Sequence, residues 1–233
     1  MTAVLQLRRS FAHQRVLAAG ARFDELGLST VAVSYRTAGD EVATAKRMGL
    51  ADLSPLPRFG FKGVGTCKWL KTKGIVVPAA PNQAAPQEDG GLALRLADEE
   101  LFLLGGLQQG AEDPAALEDA WKRARSKQRG YPLPRQETHA WFLVTGDKSD
   151  SMLAKLCGVD LRPAKFADLS IAQTSFARMS ASICRQDMEG TLAYHLLFDS
   201  ASACYVWDCL IDAMAEFQGG PVGLDAVRGL SSS

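Results

Sequence analysis

The sequence predicts an α+β fold made of two internally duplicated halves, each running strand, helix, hairpin and helix. Apolar side chains alternate along short stretches, recur with a helical period along longer ones, and do so in the same order twice. With a shift of 83 residues (142 minus 59), Phe59 falls on Phe142 and Gly63 on Gly146. The identity is weak and a chance match is the alternative, but the shared order favours an internal duplication.

The first half, residues 1–130, is predicted from local periodicity and from the glycines and prolines that interrupt it. The expected elements are a short helix, a strand over residues 30–35, a helix over 40–48 ended by Gly49, a strand over 58–62, a helix over 66–70, a hairpin of 92–96 with 101–106, and a helix over 113–128 that begins with Asp113 and Pro114. The Pro- and Gly-rich stretch 77–91 is predicted to be a long loop.

The second half, residues 131–233, repeats the plan and is expected to pack as one unit with the first. Residues 129–138 are predicted to be the linker between them. The expected elements are a strand over 140–145, a turn at Gly146, a helix over 149–157, a hairpin of 181–185 with 192–198, and a final long helix over 200–217 whose apolar positions recur at three- and four-residue steps.

Composition argues against several classes of protein. The chain has 233 residues, a hydrophobic fraction of 47%, and 26 basic residues against 26 acidic ones. Because the charges balance, no global field favours nucleic acid or an anionic membrane surface. No apolar run approaches the roughly 20 residues of a membrane span. The basic run 122–129 is either a helix end that complements the dipole or a docking patch for an acidic partner or a polyanionic ligand.

The five cysteines indicate an intracellular protein. Their number is odd and none forms a CxxC pair, so a secreted disulfide framework is disfavoured and the cytoplasm is expected. Cys204 and Cys209 lie five residues apart on one predicted helix. That spacing fits two small buried side chains better than a zinc site.

No complete catalytic motif is present. The three histidines do not pair at helical spacing, so a metal site is unsupported. His195 alternates with Leu196 in a predicted strand and is expected to face away from the core, as a structural or a functional residue. Glu88 and Asp89 are either an acid–base pair or solvated loop charges. No flavin, haem or iron–sulfur ligand pattern appears.

Several passages in order resemble the folate-binding domain of the glycine-cleavage T-protein (aminomethyltransferase) family. Residues 20–37 are similar to the family's opening phrase, residues 41–70 to its "GLFDVSHMG" segment, and residues 142–161 to its second "V.GP.A..VL" unit. Residues 194–230 are similar to its final "FEIYVP…PAGLGARD" run. The resemblance spans about residues 11–230. It is stronger still to small family members such as the gamma subunit of heterotetrameric sarcosine oxidase.

The departures from the family pattern concern its chemistry. The family's "GGI-x-D-D" loop supplies an Asp near the reactive nitrogens of tetrahydrofolate, whereas residues 89–95 of this chain read DGGLALR. The family's "RTGYTGE" phrase is reduced, and its later Glu falls near His195. The resemblance implies Tyr35, Asp52, Arg185 and His195 as the surviving residues of a folate cleft between the halves, and no catalytic residue.

The resemblance therefore implies a non-redox subunit of an N-demethylating amine oxidoreductase of the sarcosine or dimethylamine type. Such a chain would be structural, would hold tetrahydrofolate to capture the released one-carbon unit, or both, because a reactive aldehyde is best trapped before it diffuses away. Flavin or haem would be carried only by larger partner subunits. The alternative is a free-standing tetrahydrofolate-dependent methyl or aminomethyl transferase.

Overall fold

The computed structural model describes residues 7–108, 113–124 and 129–230. The helices are α1 His13–Ala18, α2 Ala38–Met48, α3 Thr66–Lys71, α4 Ala116–Arg123, α5 Ser149–Leu153, α6 Ala203–Ala215 and α7 Leu224–Leu230, with a 3₁₀ turn at Ser200–Ser202. The strands are β1 Arg22–Leu26, β2 Ser29–Ser34, β3 Gly49–Asp52, β4 Arg58–Gly63, β5 Gln83–Pro86, β6 Leu92–Ala97, β7 Glu100–Leu104, β8 Gly130–Leu133, β9 His139–Thr145, β10 Ile171–Phe176, β11 Met179–Arg185, β12 Ala193–Asp199 and β13 Gly220–Pro221.

Two main sheets repeat one topology, which confirms the α+β class and accords with the predicted duplication. The five-stranded sheet has the order β5-β6-β7-β4-β8, and the six-stranded sheet has the order β10-β11-β12-β9-β3-β13. In each, a first strand (β4 or β9) is followed by a helix, an antiparallel three-stranded meander and a second helix. A separate β1–β2 hairpin lies outside both sheets.

The halves exchange one strand each. Strand β3 immediately precedes β4 in the chain but pairs antiparallel with β9, from Gly49 opposite Thr145 to Asp52 opposite Phe142. Strand β8 immediately precedes β9 but pairs antiparallel with β4, from Gly60 opposite Leu133 to Gly63 opposite Gly130. Each sheet is therefore completed by the strand that leads into the other, which joins the halves through main-chain hydrogen bonds. The division at residue 130 remains a prediction.

The glycines that mark the repeat, Gly63 and Gly146, have the same conformation. Their φ angles are +113° and +114°. A Cβ atom added to Gly63 would lie 2.3 Å from the carbonyl oxygen of Arg129, and one added to Gly146 would lie 2.4 Å from that of Arg47. The exchanged strands β8 and β3 start directly after these contacts, so glycine is needed at both points for the close approach of two backbones.

The core has three layers of side chains in an α/β/β/α arrangement. One cluster packs the outer face of the six-stranded sheet against α1, α5 and α6, and another packs the outer face of the five-stranded sheet against α3 and α4. A third lies between the two sheets and continues to α7. We call the part contributed by the sheets the inter-sheet layer: Ala84, Leu92, Leu94, Phe102 and Leu104 from one sheet, and Ala51, Trp141, Leu143, Ile171, Cys184, Ala193 and Leu197 from the other.

Both predicted hairpins are confirmed, as β6–β7 and β11–β12. The predicted loop 77–91 is wrong in part because it contains β5, and the predicted linker 129–138 contains β8. These short strands are held by pairing with a neighbour rather than by an apolar pattern of their own. The first strand of the second meander, β10, was not predicted.

Helix ends also differ from the predictions. Helix α5 ends at Leu153 instead of residue 157, and α6 begins at Ala203 after the 3₁₀ turn. Helix α4 ends at Arg123, and residues 125–128 of the predicted helix and of the basic run lie outside the described residues. Within the described part of that run, Lys122 forms a 2.8 Å ion pair with Glu118 one turn earlier.

Two searches of the described residues gave negative results. None of the helices found there has both the length and the apolar character needed to span a bilayer. Nowhere in the same ranges do three His, Cys, Asp or Glu side chains converge as metal ligands would.

Candidate functional site

Asp52 ends strand β3 and is almost fully buried, with 4% of its surface exposed. The Ser10 hydroxyl donates a short hydrogen bond to its Oδ2, and the Ser54 amide donates to its Oδ1 at 3.0 Å. Burial raises the pKa of Asp52, while these bonds and the charge of Arg58 act in the opposite direction. The carboxyl group thus joins the chain before α1 to the start of the β3–β4 connection.

Tyr35 follows strand β2 and packs against the core of the six-stranded sheet's outer face. Its Oη is buried without a hydrogen-bond partner among the described residues. Burial raises the pKa of Tyr35, and the negative charges of Asp52 and Glu41 raise it further. The phenol therefore stays protonated, and it lies within electrostatic reach of Asp52.

His195 lies in strand β12 and is 1% exposed, so the expectation that it faces away from the core is wrong. Trp141 Nε1 donates a 2.9 Å hydrogen bond to His195 Nδ1, and His195 Nε2 lies 2.9 Å from Gln186 Oε1. Because Nδ1 accepts, this network assigns the ring proton to Nε2, which donates to Gln186. Burial lowers the pKa of His195 to about 4.

Arg185 ends strand β11 and is 7% exposed. Its Nε donates to Asp187 Oδ1 at 2.9 Å, and its Nη1 donates to the Phe166 carbonyl at 2.6 Å. A second bond from Nη2 to Asp187 completes a fork. The Asp187 carboxylate raises the pKa of Arg185. The guanidinium is thus committed to internal partners.

The four predicted residues do not converge in one cleft. Tyr35 and Asp52 lie near each other beside α1, whereas Arg185 and His195 are on the neighbouring strands β11 and β12. Arg185 is paired with Tyr194 across the ladder, so the alternation of side chains places it on the opposite face from His195. His195 belongs to the face turned towards the other sheet, where it contacts Trp141.

Two buried charged residues, Arg58 and Glu41, hold more of the structure together than the sequence indicated. Arg58 is 1% exposed and donates to four carbonyl oxygens, those of Ser54, Leu56, Gln136 and His139. Burial lowers the pKa of Arg58 to about 10. An arginine at the start of a strand, next to Phe59 and Phe61, was the available signal.

Glu41 was also missed. It is 1% exposed, and its carboxylate accepts backbone N–H bonds from Tyr35 at 2.5 Å, Arg36 at 2.6 Å and Gly223 at 2.7 Å. It therefore fastens the turn between β2 and α2 to the segment before α7. An acidic residue in the first turn of a helix is ordinary in sequence, so nothing distinguished it.

By the resemblance drawn from the sequence, Arg95 stands at the second Asp position of the family's "GGI-x-D-D" loop. Its guanidinium donates to the carbonyls of Pro78 at 3.1 Å, Ala79 at 2.6 Å and Asp98 at 2.9 Å. It holds the start of the segment 77–91 against β6. Leu94, at the first such position, is 0% exposed within the inter-sheet layer.

Two surface clefts lie elsewhere. One, of about 920 Å³, lies between the β1–β2 turn, Pro57, Gly105 and Gln136, with Arg58 in its lining. The other, of about 530 Å³, lies at the end of the six-stranded sheet near His139 and Asp199. Neither is lined by Tyr35, Asp52, Arg185 or His195.

Comparison with known proteins agrees with this architecture. The chain is 29% identical over 223 residues to the aminomethyltransferase of Mycobacterium leprae and 28% identical over 219 residues to that of Mycobacterium tuberculosis H37Rv, with 89% of this chain covered in each case. It spans only 57% of the length of these relatives.

Two solved structures share the fold. A chain of the heterotetrameric sarcosine oxidase from Corynebacterium sp. U-96 matches with a TM-score of 0.64 and 24% identity, covering 79% of this chain and 94% of that one. The glycine cleavage system aminomethyltransferase T from Bartonella henselae matches with a TM-score of 0.73 and 16% identity, covering 97% of this chain and 62% of that one. The family model described as the GCVT N-terminal domain matches residues 12–232, and the chain belongs to that family.

Proposed function

We propose that this chain is a non-redox, folate-fold subunit of a multi-subunit N-demethylating amine oxidoreductase of the sarcosine or dimethylamine type. Larger partner subunits would carry the flavin or haem and perform the oxidation. The observation that carries the proposal is the chemistry at the loop position where the family places its carboxylates. Leu94 is buried there, and Arg95 is bound to three carbonyls.

A buried leucine cannot take the role of a carboxylate beside a reactive nitrogen, because it neither holds charge nor accepts a proton. Three of the four candidate cleft residues are also engaged: Asp52 by Ser10 and Ser54, Arg185 by Asp187, and His195 by Trp141 and Gln186. The fourth, Tyr35, has no hydrogen-bond partner among the described residues, but it does not lie with Arg185 and His195. The residues at this position do not fit the one-carbon chemistry of tetrahydrofolate. This supports a structural role within a complex.

The likeness to a sarcosine oxidase chain supports the choice of complex. That chain belongs to a heterotetrameric enzyme, and it matches with a TM-score of 0.64. All five cysteines are free, which supports our placement of the protein in the cytoplasm.

A second candidate, a free-standing tetrahydrofolate-dependent transferase, is favoured by the sequence identity to aminomethyltransferases. The two candidates are separated by assaying the purified chain alone with tetrahydrofolate and either sarcosine or dimethylamine. We expect no methyl-tetrahydrofolate to form, which is the product that transfer of a methyl group gives when no oxidant is present. Turnover by the lone chain, proportional to its concentration, would exclude the subunit proposal.

A further inference from the structure

We infer that the inter-sheet layer is a closed structural joint and that this chain binds no tetrahydrofolate there. In a duplicated fold of this kind, the space between the halves is where a cleft was expected. The argument rests on what fills this space, what closes its edge, and what polar groups it offers.

Side chains from both sheets fill the space. Leu94 and Phe102 of the five-stranded sheet and Trp141, Cys184 and Leu197 of the six-stranded sheet belong to one cluster, and each is at most 1% exposed. A pterin ring is as large as an indole and would have to displace several of these side chains. Close-packed interiors do not yield such a volume without repacking.

Main-chain hydrogen bonds close the edge where the two meanders meet. The amide of Ala84 in β5 donates to the Leu169 carbonyl at 2.8 Å, and the amide of Ile171 donates to the Asn82 carbonyl at 2.9 Å. The Gln173 side chain adds bonds to Asn82 Oδ1 and to the Leu96 carbonyl, at 2.8 and 2.7 Å. Arg95 clamps the residues just before this strand, so the segment expected to be a functional loop instead joins the sheets.

The layer offers little to a polar ligand. Within the layer, Trp141 donates to the adjacent His195, which is bonded in turn to Gln186, and the Cys184 thiol donates to the Arg185 carbonyl. A pterin carries several hydrogen-bonding atoms, and burial without partners for them is unfavourable. The packed side chains, the closed edge and the paired polar atoms therefore all argue against a bound pterin.

The inference narrows the proposed function, because it makes the chain a structural subunit of the complex. It rests on the proposed function only for that structural role. Calorimetric titration of reduced tetrahydrofolate into this chain should show no binding that depends on the inter-sheet layer. Leu94→Phe provides a location test, and Leu210→Phe, at a fully buried position in the other cluster, is its matched control. Saturable binding that Leu94→Phe abolishes and Leu210→Phe preserves would overturn the inference. Binding that survives both lies outside the layer and supports it.

Hydrogen exchange on the unmodified chain provides a measurement that needs no variant. The amides of Ala84 and Ile171 should exchange slowly, and tetrahydrofolate should leave their rates unchanged. A selective change at these amides on adding tetrahydrofolate would overturn the inference while leaving the proposed complex intact. The proposed function itself fails only through catalysis by the lone chain, so the two failures are distinguishable.

Discussion

The buried hydrogen-bond pair of Trp141 and His195 predicts a specific loss of stability in acid. In the folded protein His195 Nδ1 accepts the Trp141 N–H, so a second ring proton would place two donors against each other. Burial lowers the pKa of His195 from 6.5 to about 4. Between about pH 4 and pH 6.5, His195 is therefore protonated in the unfolded chain but not in the folded chain.

The linkage between proton binding and folding gives the sign and the size of this loss of stability. A depressed folded-state pKa contributes stability that is fully present above pH 6.5 and is lost as the pH falls towards 4. A difference of about 2.5 pH units at about 1.36 kcal/mol each predicts a loss of about 3 kcal/mol across this window. That is a substantial part of the stability of an ordinary domain.

The assay is urea unfolding of the wild type and His195→Gln at several pH values between 7.5 and 4. Glutamine retains an acceptor for Trp141 and a donor for Gln186 but does not titrate. The wild type should lose about 3 kcal/mol more than the variant over this range. Parallel pH dependences for the two proteins would refute the buried, neutral state of His195.

Three further predictions concern the buried polar framework and the repeat. Arg58→Met should destabilise the fold by roughly 3–5 kcal/mol because four carbonyls lose their donor. The control, Arg162→Met in an exposed ion pair, should leave the urea midpoint unchanged, and equal midpoints for the two variants would contradict the prediction. Gly146→Ala should lower the free energy of unfolding by at least about 2 kcal/mol because of its φ of +114° and the nearby Arg47 carbonyl. The control, Gly158→Ala, has open space around it and should be tolerated. A Gly146→Ala protein as stable as the wild type would refute the close contact. Burial raises the pKa of Asp52, so its contribution to stability is favourable below pH 3.8 and is lost as the pH rises. In chemical denaturation, Asp52→Asn should therefore gain stability relative to wild type from pH 4 to 7. A difference in stability that stays constant over this range would exclude the prediction.

The sequence predicted the elements that carry their own period. The hairpins β6–β7 and β11–β12 and the helix α6 were found because apolar side chains recur along them. Strands β5 and β8 were missed because their short segments carry no apolar alternation of their own. Strand β5 is held by the next strand, β6, and β8 is held by β4, far earlier in the chain. The exchange of β3 and β8 between the sheets is likewise a property of pairing.

The candidate site was less predictable for a related reason. The alternation of side chains assigns residues to the two faces of a strand, but it does not reveal whether other elements bury both faces. His195 looked outward-facing beside Leu196, yet the six-stranded sheet is packed on both faces and both residues are buried. Tyr35 was placed in a cleft between the halves, whereas it packs on the outer cluster. Burial on both faces depends on tertiary contacts.

Isolation of the native assembly tests the central claim most directly. The chain, tagged and produced in its own cells, would be purified under mild conditions and measured for visible absorbance and for oxidation of sarcosine and dimethylamine. The account predicts stoichiometric larger subunits with a flavin or haem spectrum and N-demethylating activity in that complex. A chain that is purified alone, without a chromophore, and transfers a one-carbon unit from a methylated amine to tetrahydrofolate would contradict it.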